Sequence, residues 1–419
     1  MPATSAENLL LLSRNPVFSA AKSVWGYEIQ ATSGTAPGQG DIDVGSAVIS
    51  GDYVGLKTIL ARNKKMLLAY SAEQLAHLVP RALPPHCSVI LVTPACQQDP
   101  ALLPALQLMA SEGHTVALEW NQRVTPSAPA LDVASMLCLA APEMAADPIL
   151  LDVLVRCADP AAGGTAKVCL VRGVATRCEL ENLLTLGITL FQGRFFKTAE
   201  IIPGRKLSSH QNSRLQLLRV IEGDDPDLDA LARTIQSDVT LSYRLLTYLN
   251  SPAFGFMRKI DSIRQAITLL GWINVRNWLR AVLLADMTQG ELQGELLHLS
   301  LWRGRFLERL VAKNDYWDFR PDEMFLIGMF SLLDAILGVP MAEALACLPL
   351  TEAQKKALAD TGPTEYAPLL YLMAAFEDSD KAAQDRAMQE LSLDPDAARR
   401  LHIEAGAWAT AILEVGGKE

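Results

Sequence analysis

The sequence lacks the features of a secreted or membrane-bound protein. Its seven cysteines are odd in number and have no CxxC spacing, so neither a disulfide framework nor a cysteine zinc site is indicated. No stretch approaches the roughly 18 uninterrupted apolar residues of a membrane helix. The leucine run near the N-terminus is short, lacks a preceding basic segment and ends at Arg14-Asn15-Pro16. We therefore expect a soluble, cytoplasmic protein with no membrane association.

The common motifs of metal binding and nucleophilic catalysis are also missing. The six histidines form no HxH, HExxH or HxxxH pair, and no Gly-x-Ser-x-Gly segment is present. The glycine-rich stretch 34–45 contains neither GxxxxGK[ST] nor a GxGxxG that opens a helix, so it predicts a loop. These absences predict no bound metal, no cofactor and no catalytic residue of these types.

Positive charge is in short supply. The formal net charge is −10 and the sequence pI is near 5.2, so the overall field repels nucleic-acid phosphates. Lysine and arginine are scattered, and no basic run is interleaved with aromatic residues. We expect no nucleic acid partner.

What the sequence does contain is two halves with different periodicity. A chain of 419 residues is too long for one ordinary core, so two domains are expected, over residues 1–203 and 204–419. In the first, short apolar runs alternate with helical stretches, which predicts a parallel sheet closed into a (β/α) barrel of the TIM type. The predicted strands are 24–29, 66–69, 88–92, 116–119, 135–139, 168–171 and 190–191.

The second half has no strand pattern and predicts an all-α domain packed around one core. The predicted helices are 208–220, 228–235, 241–249, 263–270, 275–286, 296–312, 322–337, 341–347, 352–359, 366–378, 382–391 and 394–412. The polar turn 250–252 separates the third and fourth helices, because the residue before a proline is pushed out of the helical region.

This helix–turn–helix at 241–271 resembles the central motif of HDOD domains, HD-related output domains of bacterial signalling proteins. In that family LSxRLLxxxNSxxFG is followed by xSIxxAIxxLG. An ordinary hairpin of amphipathic helices would explain the leucines but not the polar and glycine positions. The matches that carry the resemblance include Ser242, Arg244, Asn250, Ser251, Phe254, Gly255, Ser262 and Gly271.

Segments of the first half resemble EAL domains, which hydrolyse cyclic di-GMP. The opening segments 15–18 and 26–28 and the closing segment 186–196 carry the likeness, and 171–176 is similar to the family's EGVET loop. The junction 195–204 and the runs 331–340 and 404–409 resemble EAL–HDOD tandem proteins. The resemblance implies an EAL-like barrel followed by an HD-like helical domain.

Hydrolysis in the EAL family depends on divalent cations held by several carboxylates. The resemblance carries over Glu28, Glu119 and Gln192, and we interpret these three as remnants of the family's site. Other family positions differ here: Ala69 replaces a metal-binding Asn, Trp120 an Asp, Cys138 the catalytic Lys and Arg172 a metal-binding Glu. The barrel is therefore predicted to be degenerate.

The same test applies to the helical half. HD-superfamily enzymes use paired His and Asp metal ligands, and in the alignment Gly304 stands for the first His and Ser331-Leu332 for the His-Asp pair. Glycine and leucine cannot ligate a metal. The resemblance thus implies a helical frame without the metal centre.

We predict a non-catalytic regulatory protein related to cyclic di-GMP signalling, not an enzyme, whose HDOD domain binds an unidentified protein partner. Ser242, Arg244, Asn250, Phe254 and Gly255 are its possible interaction residues, and a homodimer through the barrel is possible. Cyclic di-GMP binding is not expected. Two alternatives stay open, a cyclic di-GMP sensor and a residual cyclic di-GMP phosphodiesterase.

The hairpin prediction is testable in the full chain. Asn250→Ala and Gly255→Leu should loosen the turn, lowering the melting temperature and the recovery of a partner in pull-downs, because buried polar side chains of a turn hold its backbone. Unchanged melting and unchanged recovery in both variants would place the output elsewhere.

Overall fold

The computed structural model describes residues 11–32, 56–120, 128–141, 167–200, 207–222, 271–288, 290–314, 319–346, 348–378 and 380–416. The chain divides into two compact units, Met1–Thr198 and Ala199–Glu419. The division from sequence, at residues 203 and 204, stays a prediction. Among the described residues, no helix combines the length and apolar character needed to cross a bilayer.

Eight strands close into a barrel in chain order, with β1 beside β8. All neighbouring pairs from β2 to β8 are parallel, whereas β1 is antiparallel to both of its neighbours. The prediction of a barrel followed by a helical domain is confirmed. The strands are β1 (Leu11–Ser19), β2 (Val24–Thr32), β3 (Lys65–Ala69), β4 (Ser88–Val92), β5 (Thr115–Glu119), β6 (Met136–Ala140), β7 (Val168–Val174) and β8 (Leu190–Gly193).

The first strand is the one that the sequence pattern missed. β1 contains Pro16, which lacks a backbone N–H and normally argues against a strand. It tolerates the proline because the described pairing of β1 with β8 covers only Phe18 and Ser19, so at Pro16, opposite Tyr27 of β2, the strand has one partner, as an edge strand does. The remaining strands lie within a few residues of their predicted positions.

Side chains that point into the barrel follow the period of two that strands impose. The buried cluster inside the barrel is apolar, and its members come from seven different strands. They are Val17, Leu67, Val89, Leu91, Ala117, Met136, Cys138, Leu170 and Leu190, with Trp25 packed against them. The interior of the barrel is therefore filled with apolar side chains below the carboxyl ends of the strands.

Short helices lie between the strands. They are α1 (Leu56–Ala61), α2 (Ala72–Ala76), α3 (Pro94–Gln97), α4 (Leu103–Ser111), α5 (Ala128–Val133) and α6 (Arg177–Thr185). Helices α2 and α6 each begin with a capping box, in which Ser71 pairs with Gln74 and Thr176 with Glu179. The α6 box fixes where β7 ends and the next helix begins.

The second unit is helical throughout its described part. Its helices are α7 (Ser209–Ile221), α8 (Trp272–Asp286), α9 (Glu291–Lys313), α10 (Pro321–Phe330), α11 (Leu333–Leu337), α12 (Met341–Ala346), α13 (Glu352–Leu358), α14 (Ala367–Glu377), α15 (Lys381–Glu390) and α16 (Pro395–Gly416). The long helix α9 packs against α10 and α16.

Helices α9 and α10 meet at two glycines. A Cβ at Gly304 would lie 2.8 Å from the carbonyl oxygen of Phe325, and one at Gly328 would lie 2.5 Å from the carbonyl of Arg303. Both positions are closer than real Cβ contacts allow, so the two backbones touch directly. A histidine at Gly304, as in the HD superfamily, has no room here.

One local prediction differs from the structure. The predicted helix 322–337 is broken, because Ser331 ends α10 by donating its hydroxyl to the Gly328 carbonyl oxygen at 2.6 Å. Gly271 has φ of +78° and stands directly before α8. The hairpin 241–270 lies outside the described residues.

The glycine contact predicts opposite effects for one substitution at two sites. Gly328→Ala should lower the free energy of unfolding of the helical unit by about 1–3 kcal/mol, because the clash is with backbone atoms. Gly294→Ala, also in a helix but with no neighbour within 4 Å of its Cβ, should raise it by about 0.5–1 kcal/mol. Urea titration followed by circular dichroism measures both, and equal effects would refute the direct backbone contact.

Candidate functional site

Polar side chains form a layer above the apolar core at the carboxyl ends of the strands. Glu28 lies opposite Leu67 in the β2–β3 register, and Glu119 lies opposite Cys138 in the β5–β6 register. Because Leu67 and Cys138 belong to the interior cluster, both carboxylates point inward. In barrels of parallel strands this end carries the ligand and catalytic sites.

Arg172 joins the two carboxylates. Its Nη1 donates to Glu28 Oε1 at 3.1 Å, and its Nη2 donates to Glu119 Oε1 at 2.5 Å. The Glu28 and Arg172 side chains are 5% and 18% exposed, whereas Glu119 is 30% exposed. One guanidinium therefore bridges a buried and a partly accessible carboxylate.

The shape of β7 brings Arg172 into this position. Its pairing with β8 shifts register between Val171 and Val174, and Gly173 within the shift has φ of +76°. That left-handed conformation favours glycine. The irregularity ends regular pairing just beyond Arg172, on the strand that precedes α6.

The ionisation of the layer follows from burial and charge together. Burial acts to lower the pKa of Arg172, but Glu28, Cys138 and Glu119 outweigh it, so the pKa is raised and the guanidinium stays charged. Burial raises the pKa of the Cys138 thiol to about 12, with Arg172 opposing. Cys138 is therefore a neutral thiol below the ion pairs.

Amide side chains complete the layer beside Glu28. Asn15, opposite Glu28 in the β1–β2 register, donates from its side chain to Gln30 Oε1 at 3.2 Å. Gln192 donates to the Asn15 backbone carbonyl oxygen at 3.4 Å. Sequence reasoning did not place Asn15 or Gln30 in the site, although the alternation on β1 and β2 puts both on the face of Glu28.

The predicted site residues are thus all at one end of the barrel, but in different roles. Glu28 and Glu119 share Arg172, while Gln192 contacts β1. The second oxygen of Glu28, Oε2, is buried and has no hydrogen-bond partner among the described residues. The layer therefore keeps unused acceptor capacity. That these three are remnants of an EAL site stays a prediction.

The residues present do not fit a two-metal site. Such a site needs several oxygen ligands that converge on each ion. In the part of the chain that the structure describes, no three His, Cys, Asp or Glu residues are grouped to hold a metal ion. One oxygen of each carboxylate already accepts from Arg172, a cation.

In the helical unit, an arginine also lies beside the positions that the family resemblance assigns to metal ligands. Arg303 of α9 donates to both oxygens of Glu377, at 2.5 and 2.8 Å, and to Ser331 Oγ at 2.9 Å. Asp334 lies in the first turn of α11, where burial raises the pKa of its carboxyl group while the nearby backbone N–H groups and Arg303 oppose that rise. Ser331 thus serves the packing of α9 and α10. The predicted interaction residues Ser242, Arg244, Asn250, Phe254 and Gly255 lie outside the described residues.

Comparison with known proteins adds a family and two relatives. The HDOD domain family matches residues 207–361. Cyclic di-GMP phosphodiesterase CdgJ of Vibrio cholerae serotype O1 is 28% identical over 415 residues, covering 96% of this chain and 92% of its own. The uncharacterized protein YuxH of Bacillus subtilis is 26% identical over 420 residues, covering 97% and 99%.

A solved structure also aligns with part of the chain. The EAL domain of Mycobacterium smegmatis DcpA is 18% identical, with 44% of this chain and 90% of that chain covered and a TM-score of 0.35. A score this low carries no argument about the barrel, whose closure is read from its own strand pairing.

The prediction that the chain is not an enzyme is wrong on these comparisons. A relative aligned along nearly its whole length, through both halves, is named a phosphodiesterase. The prediction counted side chains at aligned positions, whereas hydrolysis depends on which groups reach the phosphate. Segments that follow several strands lie outside the described residues. The prediction against cyclic di-GMP binding loses its support for the same reason.

The state of Cys138 is testable by alkylation. With a pKa of about 12, about one Cys138 thiol in ten thousand is ionised at about pH 8, and the thiolate is the nucleophile. Iodoacetamide should label the exposed Cys178 and leave Cys138 unmodified in the folded chain. Peptide mass spectrometry measures both, with the chain unfolded in guanidinium as the control; equal labelling in the folded chain would contradict the buried thiol.

Proposed function

We propose that this chain, an EAL–HDOD tandem protein, acts in cyclic di-GMP signalling. In this proposal the barrel is the part that meets the dinucleotide, and the HDOD domain is the part that binds a protein partner. A homodimer formed through the barrel is part of the same proposal. The two roles belong to two compact units of the chain.

One observation carries the proposal for the barrel. The polar layer lies at the carboxyl ends of the strands, where barrels of this architecture bind their ligands. It occurs in a chain that aligns over 96% of its length with a relative named for cyclic di-GMP. The position of the layer and the name of the relative together support binding of the dinucleotide at this end of the barrel.

The charges of the layer indicate which part of the dinucleotide it suits. Glu28 and Glu119 against Arg172 leave one net negative charge, and a second acceptor oxygen on Glu28 is unused. A negative layer repels phosphate but accepts hydrogen bonds from the N–H groups of a guanine edge. Glu119, at 30% exposed, is the accessible carboxylate. We propose that Glu119 accepts from a guanine.

Hydrolysis of cyclic di-GMP is the second candidate, favoured by the name of the Vibrio relative. In that case Glu119 is the carboxylate placed to accept a proton from water, because it is both partly exposed and at the strand end. Glu28 is too buried for that role and orients Arg172 instead.

Binding to cyclic di-GMP is measured by calorimetry with the full chain. We expect a Kd on the order of micromolar for the wild type and about tenfold weaker binding for Glu119→Gln, because an amide is a poorer partner for two N–H donors. Glu181→Gln is the matched control, since Glu181 is exposed and pairs with Arg177 on α6. It should bind like the wild type.

The two candidates separate in the same samples. Chromatographic detection of a linear dinucleotide product, lost in Glu119→Gln but kept in Glu181→Gln, favours hydrolysis. Heat of binding in the calorimeter without a linear dinucleotide product favours a sensor that binds cyclic di-GMP and does not hydrolyse it. Neither heat nor product for the wild type would overturn the role proposed for the barrel and leave only the partner-binding role of the HDOD domain.

A further inference from the structure

We propose that Arg172 is a built-in cation of the barrel, which binds Glu28 and Glu119 together and excludes a divalent metal ion from them. The proposal concerns the ion, not the nucleotide, and so does not rest on the proposed function. It follows from the misfit between the side chains present and a two-metal site.

The first argument is the space that the guanidinium fills. Its two terminal nitrogens each reach one carboxylate, at 3.1 Å for Glu28 and 2.5 Å for Glu119. A divalent ion bound by both carboxylates would need to approach their oxygens to about 2.0–2.6 Å. It would then share the space between them with a positively charged group. Arginine and metal therefore compete for the same carboxylates.

The second argument is the strength of the arrangement. Charge-assisted hydrogen bonds are strong, and partial burial reduces the screening that weakens exposed ion pairs. The Glu28 side chain is only 5% exposed, and the raised pKa of Arg172 keeps the guanidinium charged. A metal ion would have to break both ion pairs of Arg172, and breaking a buried ion pair is strongly unfavourable.

The third argument is the capacity that arginine leaves unused. Arg172 occupies one oxygen of Glu28, and the other, Oε2, is buried without a hydrogen-bond partner among the described residues. Removal of the guanidinium would leave two facing carboxylates and this unused oxygen. Two uncompensated carboxylates in a partly buried layer attract a cation. The structure therefore contains a latent divalent site that Arg172 closes.

Lysine would not perform the same task. A guanidinium presents a rigid fork that donates to two carboxylates at once, whereas an ammonium is a compact point charge on a flexible stem. The fork explains how one side chain spans Glu28 on β2 and Glu119 on β5. Arg172→Lys should keep the positive charge but exclude a divalent ion from the two carboxylates less completely.

The experiment counts bound Mn²⁺ by electron paramagnetic resonance, using the full chain after removal of metal with EDTA and no nucleotide. We expect no Mn²⁺ above background for the wild type. Arg172→Ala should bind Mn²⁺ at least about tenfold more tightly than the wild type, because its carboxylates lose their paired charge. Arg172→Lys should lie between them. A rise in melting temperature with Mn²⁺ should accompany binding.

Two controls locate the ion. Arg177→Ala, which removes an exposed arginine that pairs with Glu181, should behave like the wild type. The double variant Arg172→Ala, Glu119→Ala should lose the Mn²⁺ that Arg172→Ala gains. If the gained ion persists in the double variant, it lies elsewhere and the proposal is overturned.

The wild type also decides the matter without the alanine variant. Wild-type binding of Mn²⁺ that disappears in Glu119→Gln would show that the metal and Arg172 occupy the carboxylates together, and the proposal would be wrong. This result is readable even if Arg172→Ala fails to fold.

Discussion

The pairing of buried charge is the constraint on which the upper end of the barrel depends. Glu28 points into a closed barrel where an unpaired carboxylate is strongly unfavourable, and its counter-ion comes from a strand 144 residues further along the chain. Arg172 also reaches Glu119, so β2, β5 and β7 are tied together above the apolar core. One guanidinium thus links three strands at the carboxyl end of the barrel.

The helical unit solves a similar problem in a similar way. Arg303 pairs with both oxygens of Glu377 and also with Ser331, at the junction of α9, α10 and α14. In both units an arginine stands at or beside the position where the family resemblance implies metal ligands. A guanidinium supplies positive charge and fixed donors without an exchangeable ion. In each unit, the positive charge of an arginine side chain thus holds neighbouring elements together.

Much of this architecture could be predicted from the sequence, and the reasons for the misses are physical. Short apolar runs located β2 to β8, which lie within a few residues of their predicted positions. This pattern missed β1 because Pro16 is unfavourable in a strand that is paired on both sides, whereas β1 pairs with β8 only at Phe18 and Ser19. The predicted helix 322–337 is too long because apolar spacing does not reveal a serine hydroxyl that donates to a backbone carbonyl oxygen. Periodicity reports burial, not local polar contacts.

The candidate site shows the same division. Family motifs singled out Glu28, Glu119 and Gln192, which lie at one end of the barrel, but they marked Arg172 only as a missing carboxylate. The contacts of Arg172 span 53 and 144 residues of sequence and appear only once the barrel closes. The prediction that the chain is not an enzyme is wrong because it rested on which family residues are replaced. A replaced residue does not show what the new side chain does.

The crossing of α9 and α10 has a mechanical consequence. Where Gly304 and Gly328 meet, backbone lies directly against backbone, so sliding one helix along the other would bring main-chain atoms, which have no rotamers to change, into collision. The crossing therefore resists a shift of α9 against α10. Since α16 also packs against α9, the three helices form one closely packed group within the unit.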